Sequence, residues 1–151
     1  MNIRHILAPT DFSEHSKQAV TYAFELAQKI DAKLSLLHVI EVPAYAIEVS
    51  LPLEALEQDA RREFARLLPQ AETAHVAVTR LVEIGVPYQK ILETAAAEQV
   101  DMIVMATHGR TGLSHLFMGS VAERVVRTAP CPVLTIRPAG EGSVGLRTTL
   151  I

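Results

Sequence analysis

Tryptophan is missing from this chain, cysteine occurs once, and aromatic residues make up only 5% of its 151 positions. With Cys131 alone no intramolecular disulfide can form, and its place between Pro130 and Pro132 points to packing rather than redox chemistry. Six histidines are scattered without His-Glu-x-x-His spacing, and Cys-x-x-Cys is absent, so no structural metal is expected. No glycine is followed by lysine in the Gly-Lys-(Ser/Thr) form and no kinase-type catalytic loop is present, so fast phosphoryl transfer lacks its usual electrostatic parts. No apolar run nears the roughly eighteen residues of a membrane span, and no charged-then-apolar leader is seen, so a cytoplasmic location is expected. A net charge of −3 offers nucleic acid or an anionic membrane no attraction.

What is present suits one globular domain: 49% hydrophobic and 21% charged residues, in a chain long enough to bury a core without staples. Ile3 to Ala8 reads as a short apolar strand ending at Pro9-Thr10-Asp11. Ser13 is a natural N-cap, and Ala19, Val20, Ala23, Leu26, Ala27 and Ile30 then recur on one helical face. Leu34 to Ile40 is almost continuously apolar, as a strand covered on both faces should be. A loop over 41–50 precedes a long helix marked by Leu53, Leu56, Ala60, Phe64, Leu67, Leu68 and Ala71. Val76, Val78, Val82 and Ile84 alternate with polar residues, which fits an edge strand. Gly85-Val86-Pro87 opens a third helix carrying Ile91, Leu92, Ala95 and Ala96, and a fourth strand spans Met102 to Ala106. A helix from Ser120 to Thr128 is stopped by Pro130-Cys131-Pro132 before a fifth strand, Val133 to Ile136. Strands alternating with helices predict a doubly wound α/β parallel sheet, with 1–138 as the domain and 139–151 as a flexible tail.

The stretch that carries chemistry lies between the fourth strand and the fourth helix, from Ala106 to Val121. Gly109, Gly112 and Gly119 leave room for backbone N–H groups to face an anion, and Gly119-Ser120 opens a helix whose positive end favours phosphate. The same residues admit a second reading, in which Ser120 and Glu123 form a capping box that satisfies the helix's own donors. Asp11 also has two readings: a ligand contact, or a cap for the first helix in competition with Ser13.

The run from Met105 to Arg137, together with Ile6-Leu7-Ala8-Pro9-Thr10-Asp11-Phe12-Ser13, closely resembles the universal stress proteins. Their nucleotide-binding branch carries Gly-x2-Gly-x9-Gly-(Ser/Thr), matched here by Gly109 and Gly119-Ser120, whereas Ala106 replaces the first glycine and adds a Cβ. The resemblance implies an adenine nucleotide alpha hydrolase-like fold with a five-stranded parallel sheet in the order 3-2-1-4-5. Ligands in such sheets bind at the carboxyl ends of the strands flanking the switch point. It implies ATP, or AMP or ADP, with Mg2+ or Mn2+ held mainly by the phosphates. Asp11 would meet the adenosine end, with Pro9, Thr10, Val39 and Met105 lining the base and ribose pocket beside Ala106. Gly109, Gly119, Ser120 and Val121 would hold the phosphates, with His108 and Arg110 beside them. It further implies a homodimer through the fifth strand, Val133-Ile136, and a nucleotide-dependent regulator of the stress response. A dimeric interaction protein without nucleotide and a slow ATPase are the alternatives.

Overall fold

A computed structural model of the chain describes residues 2–42, 52–72, 74–108, 118–137 and 148–150. In chain order the strands are β1 (His5–Pro9), β2 (Lys33–Ile40), β3 (Val78–Ile84), β4 (Met102–Ala106), β5 (Val133–Ile136) and β6 (Thr148–Leu150). The helices are α1 (Glu14–Ile30), α2 (Leu53–Leu67), α3 (Pro87–Ala97) and α4 (Ser120–Thr128). The sheet order is β3-β2-β1-β4-β5-β6. The first five strands are all parallel, in the order that the resemblance implied.

Strand alternation divides the core in two. Ile6, Ala8, Leu34, Leu36, Val104, Ala106, Leu134 and Ile136 pack with Ala19, Val20, Ala23 and Phe24 of α1 and Phe64 of α2. Their neighbours Leu7, Leu37, Ile103, Met105 and Val133 pack on the other face with Ile91 and Ala95 of α3 and Ala122 and Val125 of α4. Because β1, β2 and β4 are covered on both faces, they read as apolar runs rather than alternating ones. β3 lies at the edge with a half-exposed pattern, as its polar alternation predicts. Helices α1 and α2 thus leave the sheet toward one face and α3 and α4 toward the other, and the reversal falls between β1 and β4.

Three local readings differ from the sequence. The second helix stops at Leu67 and gives way to a 3-10 turn over Pro69–Glu72, because a proline inside a helix removes an N–H and clashes with the preceding turn. The capping box does not form: Gly119 is the N-cap of α4, without a side-chain hydrogen bond, and Glu123 pairs instead with Arg127 at 2.8 Å. Within the tail, residues 148–150 form β6, antiparallel on the outer edge of β5, so the flexible stretch expected from 139 does not extend through them. Gly85 sits at φ +147°, a backbone region L side chains rarely adopt, and there lets the chain turn from β3 into α3. Among the described residues no helix is long and apolar enough to cross a membrane.

Candidate functional site

The carboxyl ends of β1, β2 and β4 open into a cleft of about 800 Å³. It lies at the reversal of sheet order, where the chain leaving β1 and the chain leaving β4 diverge to opposite faces. Pro9, Thr10 and Asp11 line it from β1, Val39 from β2, Met105, Ala106 and His108 from β4, and Gly119, Ser120 and Val121 from the start of α4. Ten of the twelve residues singled out in the sequence therefore share one cavity. Gly109 and Arg110 lie outside the described residues, as do 111–117.

The turn after β1 is built largely from its own hydroxyls. Thr10 is buried, its Oγ1 lies 3.0 Å from Ser16 Oγ, and it accepts the Phe12 N–H at 3.0 Å. Asp11 Oδ1 accepts the Ser13 N–H at 3.0 Å, while Ser13 Oγ accepts the Ser16 N–H and caps α1. The two readings of Asp11 are thereby separated: Ser13 is the cap, and Asp11 braces the turn while lining the cleft.

Phe12 takes a left-handed backbone conformation, φ 62°, which costs a residue with a Cβ about 1–2 kcal/mol. Its ring compensates by packing 4.5 Å from His38 and edge-on to Phe64 at 5.2 Å. His38 in turn donates from Nδ1 to the Thr10 carbonyl at 2.8 Å, since a carbonyl can only accept. Phe12 and His38 both line the cleft, and together they clamp the turn that presents Asp11. His38 is thus satisfied by a hydrogen bond and also faces the cleft, a place that sequence alone did not mark. The signal was available: His38 shares the strand alternation of Leu34 and Leu36, on the face where Phe64 packs.

At the other wall, the Gly119 N–H donates to the Thr107 carbonyl at 2.7 Å, tying the two ends of the loop together. The Gly119 N–H is therefore engaged by the fold, although Gly119 itself lines the cleft. The donors that lack an intrahelical acceptor are those of the following residues, Ser120, Val121 and Ala122, at the positive end of α4. Thr107 Oγ1 lies 2.8 Å from His108 Nδ1, and the His108 ring meets His15 of α1 edge-on at 6.1 Å. His15, which no motif marked, thus joins α1 to the mouth of the cleft. The Cβ that Ala106 adds is absorbed into the core under α1, and Ala106 is only 8% exposed. From α2, Ala60, Asp59 and Glu63 close the remaining side.

Outside the cleft, burial pushes the Cys131 thiol pKa up, which keeps it protonated and poorly nucleophilic. Among the described residues no cluster of three or more His, Cys, Asp or Glu side chains could hold a metal ion.

The universal stress protein family profile matches residues 2–137. A universal stress protein of Methanocaldococcus jannaschii is 35% identical over 143 residues, covering 89% of this chain and 82% of that protein. One from Thermus aquaticus is 39% identical over 134 residues, covering 87% and 97%. Among solved structures, universal stress protein UspA from Lactobacillus plantarum superposes with a TM-score of 0.80 at 27% identity, covering 91% of this chain and 99% of that one. Two more distant structures share the fold. A universal stress protein in complex with cAMP has a TM-score of 0.73 at 20% identity, covering 92% and 100%. An Arabidopsis thaliana family protein with AMP bound has a TM-score of 0.65 at 19% identity, covering 92% and 94%.

Proposed function

We propose, for a chain that belongs to the universal stress protein family, that the cleft between β1 and β4 binds an adenine nucleotide, with ATP as the preferred ligand. The observation that carries this reading is the meeting of Asp11 with the donor-rich start of α4 in one cavity. An acceptor carboxylate suits the adenosine end, and unpaired N–H groups at a helix start suit phosphates. Val39 and Met105 supply an apolar wall for the base. The cAMP and AMP carried by two fold relatives belong to the same ligand class.

Magnesium, when bound with the nucleotide, neutralises phosphate charge and is held mainly by phosphate oxygens and water. Ser120, Val121 and Ala122 supply directed N–H groups, and the Ser120 hydroxyl can donate to a phosphate oxygen. Turnover is at most slow, since the chain has neither a Gly-Lys-(Ser/Thr) loop nor a kinase-type catalytic loop. Its role is that of a cytoplasmic nucleotide-dependent regulator in the stress response, acting as a homodimer paired through β5. Calorimetric titration with ATP, ADP, AMP and cAMP, each with and without magnesium, tests the reading. Saturable ATP binding that weakens in Asp11→Ala supports it; no binding by the folded protein rejects it.

A further inference from the structure

β5 is held in the sheet by side chains on both faces, Leu134 and Ile136 toward α1 and Val133 toward α3 and α4. What it can offer a partner is therefore its outer row of backbone groups. Those groups can be assigned. The Ile103 and Thr107 N–H groups donate to the carbonyls of Pro132 and Ile136, so the even-numbered residues turn toward β4. Alternation turns Val133 and Thr135 outward. β6 occupies that side, antiparallel, with Ile136 opposite Thr148, Thr135 opposite Thr149 and Leu134 opposite Leu150. Because Thr135 faces outward, Thr135 and Thr149 are the pair that exchanges both ladder bonds.

A second copy of this chain that paired its own β5 across a two-fold axis would also run antiparallel on this edge and would use the same groups of Thr135. The two occupants exclude each other. We propose that β6 is a built-in competitor for the dimerisation edge, a strand the chain lays on its own β5 that must lift before a second copy can pair. The proposal rests on the reading of β5 as the dimer strand. It goes beyond the family pattern, because the matched segment ends at residue 137 and β6 lies past it. Tethering gives β6 a standing advantage. A strand joined to its edge by a short connection acts at an effective concentration of about millimolar, which a free partner at micromolar concentration does not match. The competitor is also small, spanning only Thr148–Leu150, so it can be displaced.

The test uses the full-length chain with single prolines in β6. Thr149→Pro deletes the N–H that pairs with Thr135 and leaves β5 untouched, whereas Thr148→Pro sits where the N–H turns away from β5. Sedimentation equilibrium should give Thr149→Pro a dimer dissociation constant lower than wild type by about tenfold or more. Thr148→Pro should stay within about threefold of wild type. Equal dimerisation by all three proteins overturns the competition while leaving β5 pairing intact. Weaker dimerisation by Thr149→Pro also overturns it, by making β6 part of the interface. Monomers throughout, up to millimolar protein, remove the dimer strand and the competitor with it.

Discussion

The two ends of β1 treat polar groups in opposite ways. At its amino end, His5 is 2% exposed and fully engaged. Nδ1 donates to the Glu98 carbonyl at 3.1 Å, and Nε2 accepts from the Ser35 hydroxyl at 2.8 Å. Asp101 Oδ2 takes the N–H groups of Arg4 and His5 at 2.9 and 3.0 Å. Every group there has a partner supplied by the fold, and the result ties β1, β2 and the α3–β4 turn together. At its carboxyl end, the same strand delivers Thr10 and Asp11 to an open cleft opposite helix donors that, among the described residues, have no acceptor within α4. A closed polar network is structural; an open one facing a cavity is where a ligand completes the set.

The contrast can be broken first at the closed end. His5→Ala leaves a cavity and deprives Ser35 of its acceptor, and should lower unfolding stability by about 2–3 kcal/mol in a urea titration while nucleotide affinity stays unchanged. A loss of affinity there would mean the two ends are not independent. The same histidine sets a pH dependence. Burial, with help from Lys33, lowers its pKa below the ordinary 6.5, against the opposing pull of Glu98 and Asp101. The folded state therefore keeps His5 neutral where the unfolded chain protonates it. Its contribution is complete above pH 6.5 and is lost progressively as the pH falls below it. Urea titrations between pH 7.5 and 5 should show that slope, flatter in His5→Gln.

At the open end, Ser120→Pro sharpens the distinction. Proline is tolerated at the first helical position, and Gly119 before it is already extended at φ −61°, ψ 149°. The change removes one N–H and the hydroxyl while keeping α4. ATP should bind about tenfold or more weakly, with adenosine unaffected, as seen by calorimetry. The clamp on Asp11 comes next. His38→Leu deletes the bond to the Thr10 carbonyl and should weaken adenosine and ATP alike, by about fivefold, because it acts on the end they share. Smallest of all, Ala106→Gly should change ATP affinity by less than about threefold and lower stability slightly, since the Ala106 Cβ is already packed in the core.

The fold was legible where burial on both faces left continuous apolar runs, as in Leu34 to Ile40 and Met102 to Ala106. Strand order came from resemblance, because periodicity says nothing about which strands are neighbours. The end of α2 was misread since Leu67, Leu68 and Ala71 keep a helical spacing past the point where Pro69 breaks it. β6 was missed because three residues, Thr148 to Leu150, are too few to show a period. In the site, motif spacing found Gly119 and Ser120, but which N–H is free depends on the Thr107 carbonyl, a contact made in three dimensions. Phe12 gave no signal, because a left-handed phenylalanine is dictated by the ring's neighbours rather than by local propensity. The His5 network was likewise invisible, since its partners lie 30 and 93 positions away.

The most direct test follows backbone amide chemical shifts as ATP and magnesium are added to the labelled protein. The account predicts saturable shifts at Thr10 to Phe12, His38 and Val39, Met105 to His108 and Ser120 to Ala122, with Arg4, His5, Ser35 and Asp101 unmoved. Shifts concentrated at the amino end of the sheet, or none at millimolar ATP, would contradict it.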